Sequence, residues 1–405
     1  MNETAVGPVA PPFESIGSIA VLRGGGLGDL LFAMPAIHAL AAAYPQARIT
    51  LLGTPLHAEL LAGRPGPVDE VAVLPFAEGV RPGGSGDTAA DAQQVQDFLA
   101  RMREREFDLA VQVHGGGRFS NPFLLELGAK HTVGTRTEDA AELERTIPYH
   151  YYQHEVLRAL EVAGMAGATT TALSPRIEVT EHDRDEARTA LEALARSLPD
   201  AAGRRAPRLV IHPGASDARR QWPVESFAAL ATRAVTDGYQ VLLVGAGAEA
   251  ELCRRIWEQV PAEQREAVHV PAEQREAVHV LAGKLSLPGL VGVLESADVM
   301  LGNDSGPRHL AQAVGTPTVG IFWAGNMIMA APLERSRHRV HLGWVTHCPE
   351  CGIDVTQVGW NAPRCDHTFP LTAAVSVDEV YTNITDLTAS GELLSAGRHL
   401  QSATE

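Results

Sequence analysis

The sequence predicts an α/β fold of two Rossmann-like domains, each a doubly wound parallel sheet, facing a central cleft. Three observations carry this. Short apolar runs alternate with helical stretches in both halves, a rhythm that buries parallel strands on both faces. A glycine-rich turn joins the first apolar run to the first helical one. The segment 198–207, LPDAAGRRAP, has linker composition and separates the two halves. The expected domains are 1–200 and 201–405, with chemistry collecting at strand C-terminal ends and between the domains.

The first strand is Ser18–Arg23, followed by Gly24-Gly-Gly-Leu-Gly28-Asp29 and a helix from Leu30 to Ala43, which Pro45 ends. Arg48–Leu52, Val71–Leu74 and Leu109–Val113 read as further strands. The Gly/Asp/Ala-rich stretch 81–94 reads as a mobile surface loop. In the second half, Arg208–His212, Gln240–Val244, Val299–Leu301 and Pro317–Phe322 are the strands. The decapeptide VPAEQREAVH occurs twice in succession, at 260–269 and 270–279. Two identical copies do not make a solenoid. Only the second runs into a strand-like segment, so the first reads as an inserted loop or helix extension.

The chain has 405 residues, enough for two cores, with 45% hydrophobic and 20% charged residues. Its net charge of −16 argues against a nucleic-acid partner or an anionic membrane sheet. Four cysteines exclude a disulfide-dense secreted scaffold. Residues 1–13 have no basic segment or apolar core of signal-peptide type, and no stretch reaches the length of a membrane span, so the expected compartment is the cytoplasm.

Four motifs can carry chemistry. The glycines of 24–28 let the backbone approach a ligand at a helix N-terminus. Their spacing is not G-x-G-x-x-G, and Leu51-Leu-Gly-Thr-Pro55 brings no acidic residue to the end of the second strand, so a dinucleotide site is not supported. Asp29 is either a helix N-cap or a general base. The second motif, His212-Pro-Gly-Ala-Ser216 with Arg219, Arg220, Trp222 and Pro223, offers N–H groups, a hydroxyl and guanidinium donors to a phosphate, or is a turn with exposed arginines. In the third, Gly302-Asn-Asp304-Ser305-Gly306-Pro307-Arg308-His309, a strand ends, Pro307 suits the first helical position, and Ser305 and Gly306 can donate N–H groups to a diphosphate that His309 also reaches. A capping Asp or Ser beside an incidental His is the structural alternative. The fourth, Cys348-Pro-Glu-Cys351 and Cys365-Asp-His367, has the spacing of a Cys3His zinc or iron site, in which His347 or Asp366 could substitute. A redox pair or plain loop cysteines are the alternatives. Cys253 reads as core.

In their order, these motifs resemble glycosyltransferase family 9, the ADP-heptose heptosyltransferase-like enzymes of GT-B fold. The similarity runs from about Ser18 to Tyr381 and includes Gly28-Asp29, Pro35-Ala36, His154-Glu155, Gly214-Ala-Ser216, Trp222-Pro223, Leu281-Ala-Gly-Lys284 and Asn303–His309. The resemblance implies a metal-independent, inverting transfer from a nucleotide-diphosphate sugar to an acceptor glycan, lipid, protein or small molecule. It makes Asp29 the base, with Gly25, Gly26, Gly28 and His114 in the acceptor-side loop. The donor falls to Gly214, Ser216, Arg220, Asp304, Ser305, Gly306 and His309, and its ribose to Glu249. The family commonly has Lys where Arg220 stands. The cysteine segment 347–367 is absent from the simplest lipopolysaccharide heptosyltransferases and looks like a feature of a subset, some of which glycosylate proteins. Its structural metal would also suit a homo-oligomer. Two other readings share these features: a GT-B-shaped sugar-nucleotide epimerase, and a non-catalytic, metal-stabilised assembly protein.

Overall fold

The computed structural model describes residues 6–192, 206–265, 277–356 and 365–402. The chain divides into two compact units, Met1–Glu178 and Val179–Glu405. The first holds strands β1 (Ser18–Leu22), β2 (Arg48–Gly53), β3 (Glu70–Val73), β4 (Leu109–Gln112), β5 (His131–Arg136) and β6 (Arg145–Pro148). They form one sheet of order β3-β2-β1-β4-β5-β6, parallel throughout. The second holds β7 (Arg208–His212), β8 (Gln240–Leu243), β9 (Val278–Val280), β10 (Val299–Asn303), β11 (Thr318–Trp323) and β12 (His338–Gly343), ordered β12-β11-β10-β7-β8-β9 and again parallel. Counted within its unit, each sheet runs 3-2-1-4-5-6, the Rossmann order. Strand order reverses between β1 and β4 in the first unit and between β7 and β10 in the second, where ligand crevices open in such sheets.

The central strands are apolar on both faces: β1 is buried from Ile19 to Leu22, and β7, β10 and β11 along their whole lengths. Helices supply the covering layers. Behind β7 and β8, Trp222, Phe227, Leu230, Ile256 and Tyr381 belong to one buried cluster.

The structure moves three boundaries. The join falls at Glu178/Val179, not near residue 200, because the helix Glu181–Glu192 packs on the helix Leu287–Glu295 of the second unit. The approach is close: a Cβ on Gly292 would lie 2.2 Å from the Asp183 carbonyl oxygen, and Arg184 pairs with Glu295 at 2.7 Å. Stretch 81–94 is helical in its second part, since Asp87 accepts the N–H groups of Ala89 and Ala90 and starts the helix Thr88–Arg103. The first helix begins at Leu27 rather than Leu30, which brings Asp29 inside its first turn. Of the duplicated decapeptide, Val260 closes one helix, Ala262–Arg265 forms a short second one, and Val278–His279 enter β9. Residues 266–276 lie outside the described residues.

Candidate active site

In the first unit, the β1 end and the following helix build the turn that carries Asp29. Gly26 is the N-cap and Asp29 the third helical residue, so Asp29 is not the N-cap. Its Oδ2 accepts the Gly26 N–H at 2.8 Å, and its Oδ1 accepts Arg23 Nη2 at 2.7 Å. Arg23 is buried and fixed by three further acceptors: the Asp29 carbonyl (2.9 Å), the Val113 carbonyl (2.5 Å) and Glu155 Oε2 (3.4 Å). Glu155 in turn pairs with Arg158. Gly25 has φ +90°, and a Cβ there would lie 2.3 Å from Asp29 Oδ2, so only glycine lets the carboxylate fold back over the loop.

Two imidazoles brace this turn from behind. His114, after β4, accepts the Gly24 N–H at Nδ1 (3.2 Å) and donates from Nε2 to the Gly79 carbonyl (3.0 Å). Burial, aided by the Arg23 charge, pushes its pKa down to about 4, so it holds the loop as a neutral ring. His57 accepts the Thr54 N–H and donates to the Gly26 carbonyl at 2.9 Å, and burial likewise lowers its pKa. Gly28 lies in the helix's first turn.

The second unit assembles the remaining residues at the ends of β7, β8 and β10. Ser305 is the N-cap of the helix Gly306–Ala313, with Gly306 first and Pro307 second, one place later than the sequence suggests. The Ser305 hydroxyl meets His212 Nδ1 at 3.0 Å, and His212 Nε2 meets Glu249 Oε2 at 3.2 Å. Glu249 also accepts the Ala246 N–H, and the His212 contact is the main cause holding its pKa below the usual carboxylate value. Gly214 is required there: a Cβ would lie 1.6 Å from Glu249 Oε1.

Arg220 reaches across the front, with Nη2 donating to Ser216 Oγ at 2.7 Å and Nη1 3.5 Å from Asp304 Oδ2. Asp304 accepts His309 Nε2–H at 2.9 Å and Asn326 Nδ2 at 2.5 Å. Burial would raise its pKa, but His309, Arg308 and Asn326 outweigh that and hold it at about 2. Arg219 does not join this array. It is buried against Asp217 (Nη2 to Oδ2 2.7 Å) and directs Nη1 to the Cys365 carbonyl at 3.4 Å.

Sequence reasoning left Arg23, Glu155, His212, Asn303 and Asn326 without roles. Asn303 ties the loops together, accepting the Trp222 N–H at 3.0 Å and donating to the Pro213 carbonyl at 2.7 Å. His212 had a signal, as the last residue of an apolar strand before a Gly/Ser turn. Asn326 had none, being 22 positions from the carboxylate it touches.

Cys348, Cys351, Cys365 and His367 do come together, their ligand atoms all within 4.8 Å of one another. Cys351 and Cys365 sulfurs are 3.5 Å apart, and His367 Nδ1 lies 3.5 Å from Cys365 Sγ and 3.7 Å from Cys348 Sγ. A tetrahedral metal with sulfur at about 2.3 Å needs sulfur–sulfur edges of about 3.8 Å, so the donor set fits zinc or iron. His367 Nε2 faces Glu350 at 3.5 Å, an orienting partner for a ligating ring. The residues that follow rest on the loop after β7: Leu371 N–H donates to the Arg219 carbonyl at 2.7 Å and Thr372 Oγ1 to the Gln221 carbonyl at 3.1 Å. Cys253 is a core thiol, its pKa pushed up to about 12 by burial. Among the described residues, no helix is long and apolar enough to cross a membrane.

Two parallel sheets in Rossmann order, together with the family match below, make the chain a glycosyltransferase of GT-B architecture. The family model for glycosyltransferase family 9 (heptosyltransferase) matches residues 95–353, and the chain belongs to that family. It is 23% identical over 354 residues to the lipopolysaccharide core heptosyltransferase OpsX of Haemophilus influenzae, covering 86% of this chain and 90% of that one. Among solved structures, it matches the E. coli ADP-heptose lipopolysaccharide heptosyltransferase II with a TM-score of 0.67 at 19% identity, over 93% of this chain and all of that one. It also matches the iron-containing dodecameric glycosyltransferase TibC of enterotoxigenic E. coli, with a TM-score of 0.50 at 15% identity, over 94% of this chain and 78% of that one.

Proposed function

We propose that the protein is an inverting, metal-independent heptosyltransferase that moves heptose from ADP-heptose to an acceptor hydroxyl. The unit ending at Glu178 is the acceptor side and the unit beginning at Val179 binds the nucleotide sugar. The carrying observation is the array of Ser216, Arg220, Asp304 and His309 at the start of the helix Gly306–Ala313, with Glu249 held by His212 beside it. The names of the relatives support heptose as the sugar, ADP as the carrier and a lipopolysaccharide-core hydroxyl as the acceptor.

In this mechanism Asp29 takes the acceptor hydroxyl's proton as its oxygen attacks the anomeric carbon opposite the diphosphate. The bond to the diphosphate breaks with its electron pair leaving on ADP, so one base suffices and the centre inverts. Arg23 and the Gly26 N–H fix both Asp29 oxygens, while the side chain stays about half exposed to a partner. Arg220, the Ser216 hydroxyl and the N–H groups of Ser305 and Gly306 meet the charge growing on the leaving diphosphate. The two carboxylates of the array are already engaged by His212, His309, Asn326 and Arg220, so they complete the cradle instead of recruiting a cation. Glu249 is placed for the ribose hydroxyls.

Cys348, Cys351, Cys365 and His367 would hold a structural zinc or iron, cross-linking the segment just before the residues that rest on the Arg219–Gln221 loop. The iron-containing, dodecameric TibC supports a metal here and a homo-oligomer. Free thiols suit a cytoplasmic enzyme.

A panel of nucleotide sugars tests the donor, since a ligand of the native state raises the unfolding temperature by mass action. ADP-heptose should protect more than UDP- or GDP-sugars, and the product should show inverted anomeric configuration by NMR. Protection by UDP-sugars alone, or retention, contradicts the proposal. Metal analysis of fresh protein should find about one equivalent per chain.

A further inference from the structure

One carboxylate close to Asp29 has no part in that mechanism. Glu155 is the first residue of the helix Glu155–Met165, a place where an acidic side chain usually stands in solvent and favours the positive end of the helix. Here it lies mostly buried between two buried guanidiniums. Its Oε1 takes Nη1 of Arg158, and its Oε2 lies 3.4 Å from Nη2 of Arg23. That same Nη2 donates to Asp29 Oδ1 at 2.7 Å. Asp29, Arg23, Glu155 and Arg158 thus form a line of alternating charge, open to solvent chiefly at the Asp29 end. Both guanidiniums are also held by neutral groups. Arg23 donates to the Val113 carbonyl at 2.5 Å and the Asp29 carbonyl at 2.9 Å. Arg158 Nη2 donates to the His150 carbonyl at 2.6 Å, and the guanidinium carbon lies 4.3 Å from the centroid of the Tyr149 ring. Neither arginine depends on Glu155 for its place.

We propose that Glu155 is a positioning residue that acts on Asp29 through Arg23: it shares the guanidinium, so that the buried charge of Arg23 stays compensated when Asp29 takes the acceptor's proton. This rests on the reading of Asp29 as the base. In that step the acceptor O–H bond breaks, an O–H bond forms on Asp29, and the carboxylate loses its charge. A carboxylate that is the sole counter-charge of a buried guanidinium is a poor base, because protonating it leaves the cation unpaired away from water. With Glu155 at the same nitrogen, Nη2 passes to Oε2 as Asp29 becomes neutral. The negative charge of Glu155 beside the pair also favours the proton. Arg158 on Oε1 gives Glu155 a cation of its own, so the line is balanced before transfer. The other titratable groups against the line add no charge at neutral pH. Burial lowers the pKa of His57 and brings that of His114 down to about 4, while it raises that of Tyr149. His154, the N-cap of the helix, accepts the Val156 N–H at Nδ1 (3.2 Å), as a neutral ring does.

The first test reads both carboxylates by NMR in the full-length protein, labelled with carbon-13 at the aspartate and glutamate side-chain carboxyls. The Asp29 and Glu155 signals are assigned by their loss in Asp29→Asn and Glu155→Asp. In the wild type, the Glu155 signal should inflect at the midpoint of the Asp29 titration, as Nη2 changes partner. No inflection overturns the proposal without a charge-removing variant having to fold. Glu155→Gln keeps the size and an acceptor for Arg158 but removes the charge. The Asp29 titration should then move to lower pH by about half a pH unit to one pH unit, and return to within about 0.3 of wild type in E155D. An unmoved or raised midpoint in E155Q overturns the proposal. The second test follows kcat against pH. In E155Q the acidic limb should move the same way, with the plateau lowered about threefold to tenfold and ADP affinity in calorimetry unchanged. A lowered plateau with the limb in place overturns the proposal in favour of a structural role. If the NMR midpoint moves as expected but Asp29→Asn turns over normally, the base reading fails while the coupling of Glu155 to Asp29 stands.

Discussion

The turn after β1 and the turn after β10 are built alike, yet they treat their carboxylates in opposite ways. Each follows a central strand at the point where its sheet reverses order, and each opens a helix. Asp29 takes one guanidinium and one backbone N–H, and its side chain is 47% exposed. Asp304 takes an imidazole and an amide, faces Arg220, and is 8% exposed, with its pKa held at about 2. One architecture thus yields a carboxylate open to a partner and a carboxylate spent on holding its neighbours. In the proposed mechanism it is environment, and not residue type, that separates the base from the positioning group.

The largest effect that would sharpen this contrast is on turnover. Asp29→Asn keeps the size and one acceptor for the Gly26 N–H, but it loses the charge paired with Arg23 and cannot take a proton, so kcat should fall by roughly a thousandfold or more. A fall below tenfold would remove Asp29 as the base. Next, Gly25→Ala forces a side chain against Asp29 Oδ2 and should lower kcat by roughly thirtyfold, leaving ADP affinity unchanged in calorimetry. Arg220→Ala removes a charged donor from the other turn and should weaken ADP binding about tenfold. Equal affinity would take Arg220 out of the diphosphate site. The smallest effect is on acid stability. Asp304 has a folded pKa below the ordinary 3.8, so its contribution is complete above that value and is lost as pH falls from about 4 towards about 2. Urea titrations at successive pH values should show this loss in the wild type and a flatter profile in Asp304→Asn.

The sheets were legible where strands are buried on both faces. Arg48–Leu52, Leu109–Val113, Arg208–His212 and Gln240–Val244 are nearly continuous apolar runs, and each coincides with a strand to within one residue at its end. β5 (HTVGTR), β6 (RTIP) and β12 (HRVHLG) were not legible, because threonine, arginine and histidine interrupt their apolar pattern and β6 and β12 are edges with less to bury. The same division runs through the site. Glycine, serine, aspartate and cysteine at strand ends announce themselves locally through turn and ligand spacing. The contacts that give them character join positions far apart, as in Arg23 with Val113 or His212 with Ser305, and no local pattern encodes those pairings.

The division of labour between the two turns is tested most directly by titrating ADP-heptose into Asp29→Asn protein in a calorimeter. If base and donor cradle are separate, the dissociation constant should stay within about twofold of wild type although turnover is lost. A tenfold or greater loss of donor affinity would contradict the assignment, because the carboxylate after β1 would then be part of the donor site itself.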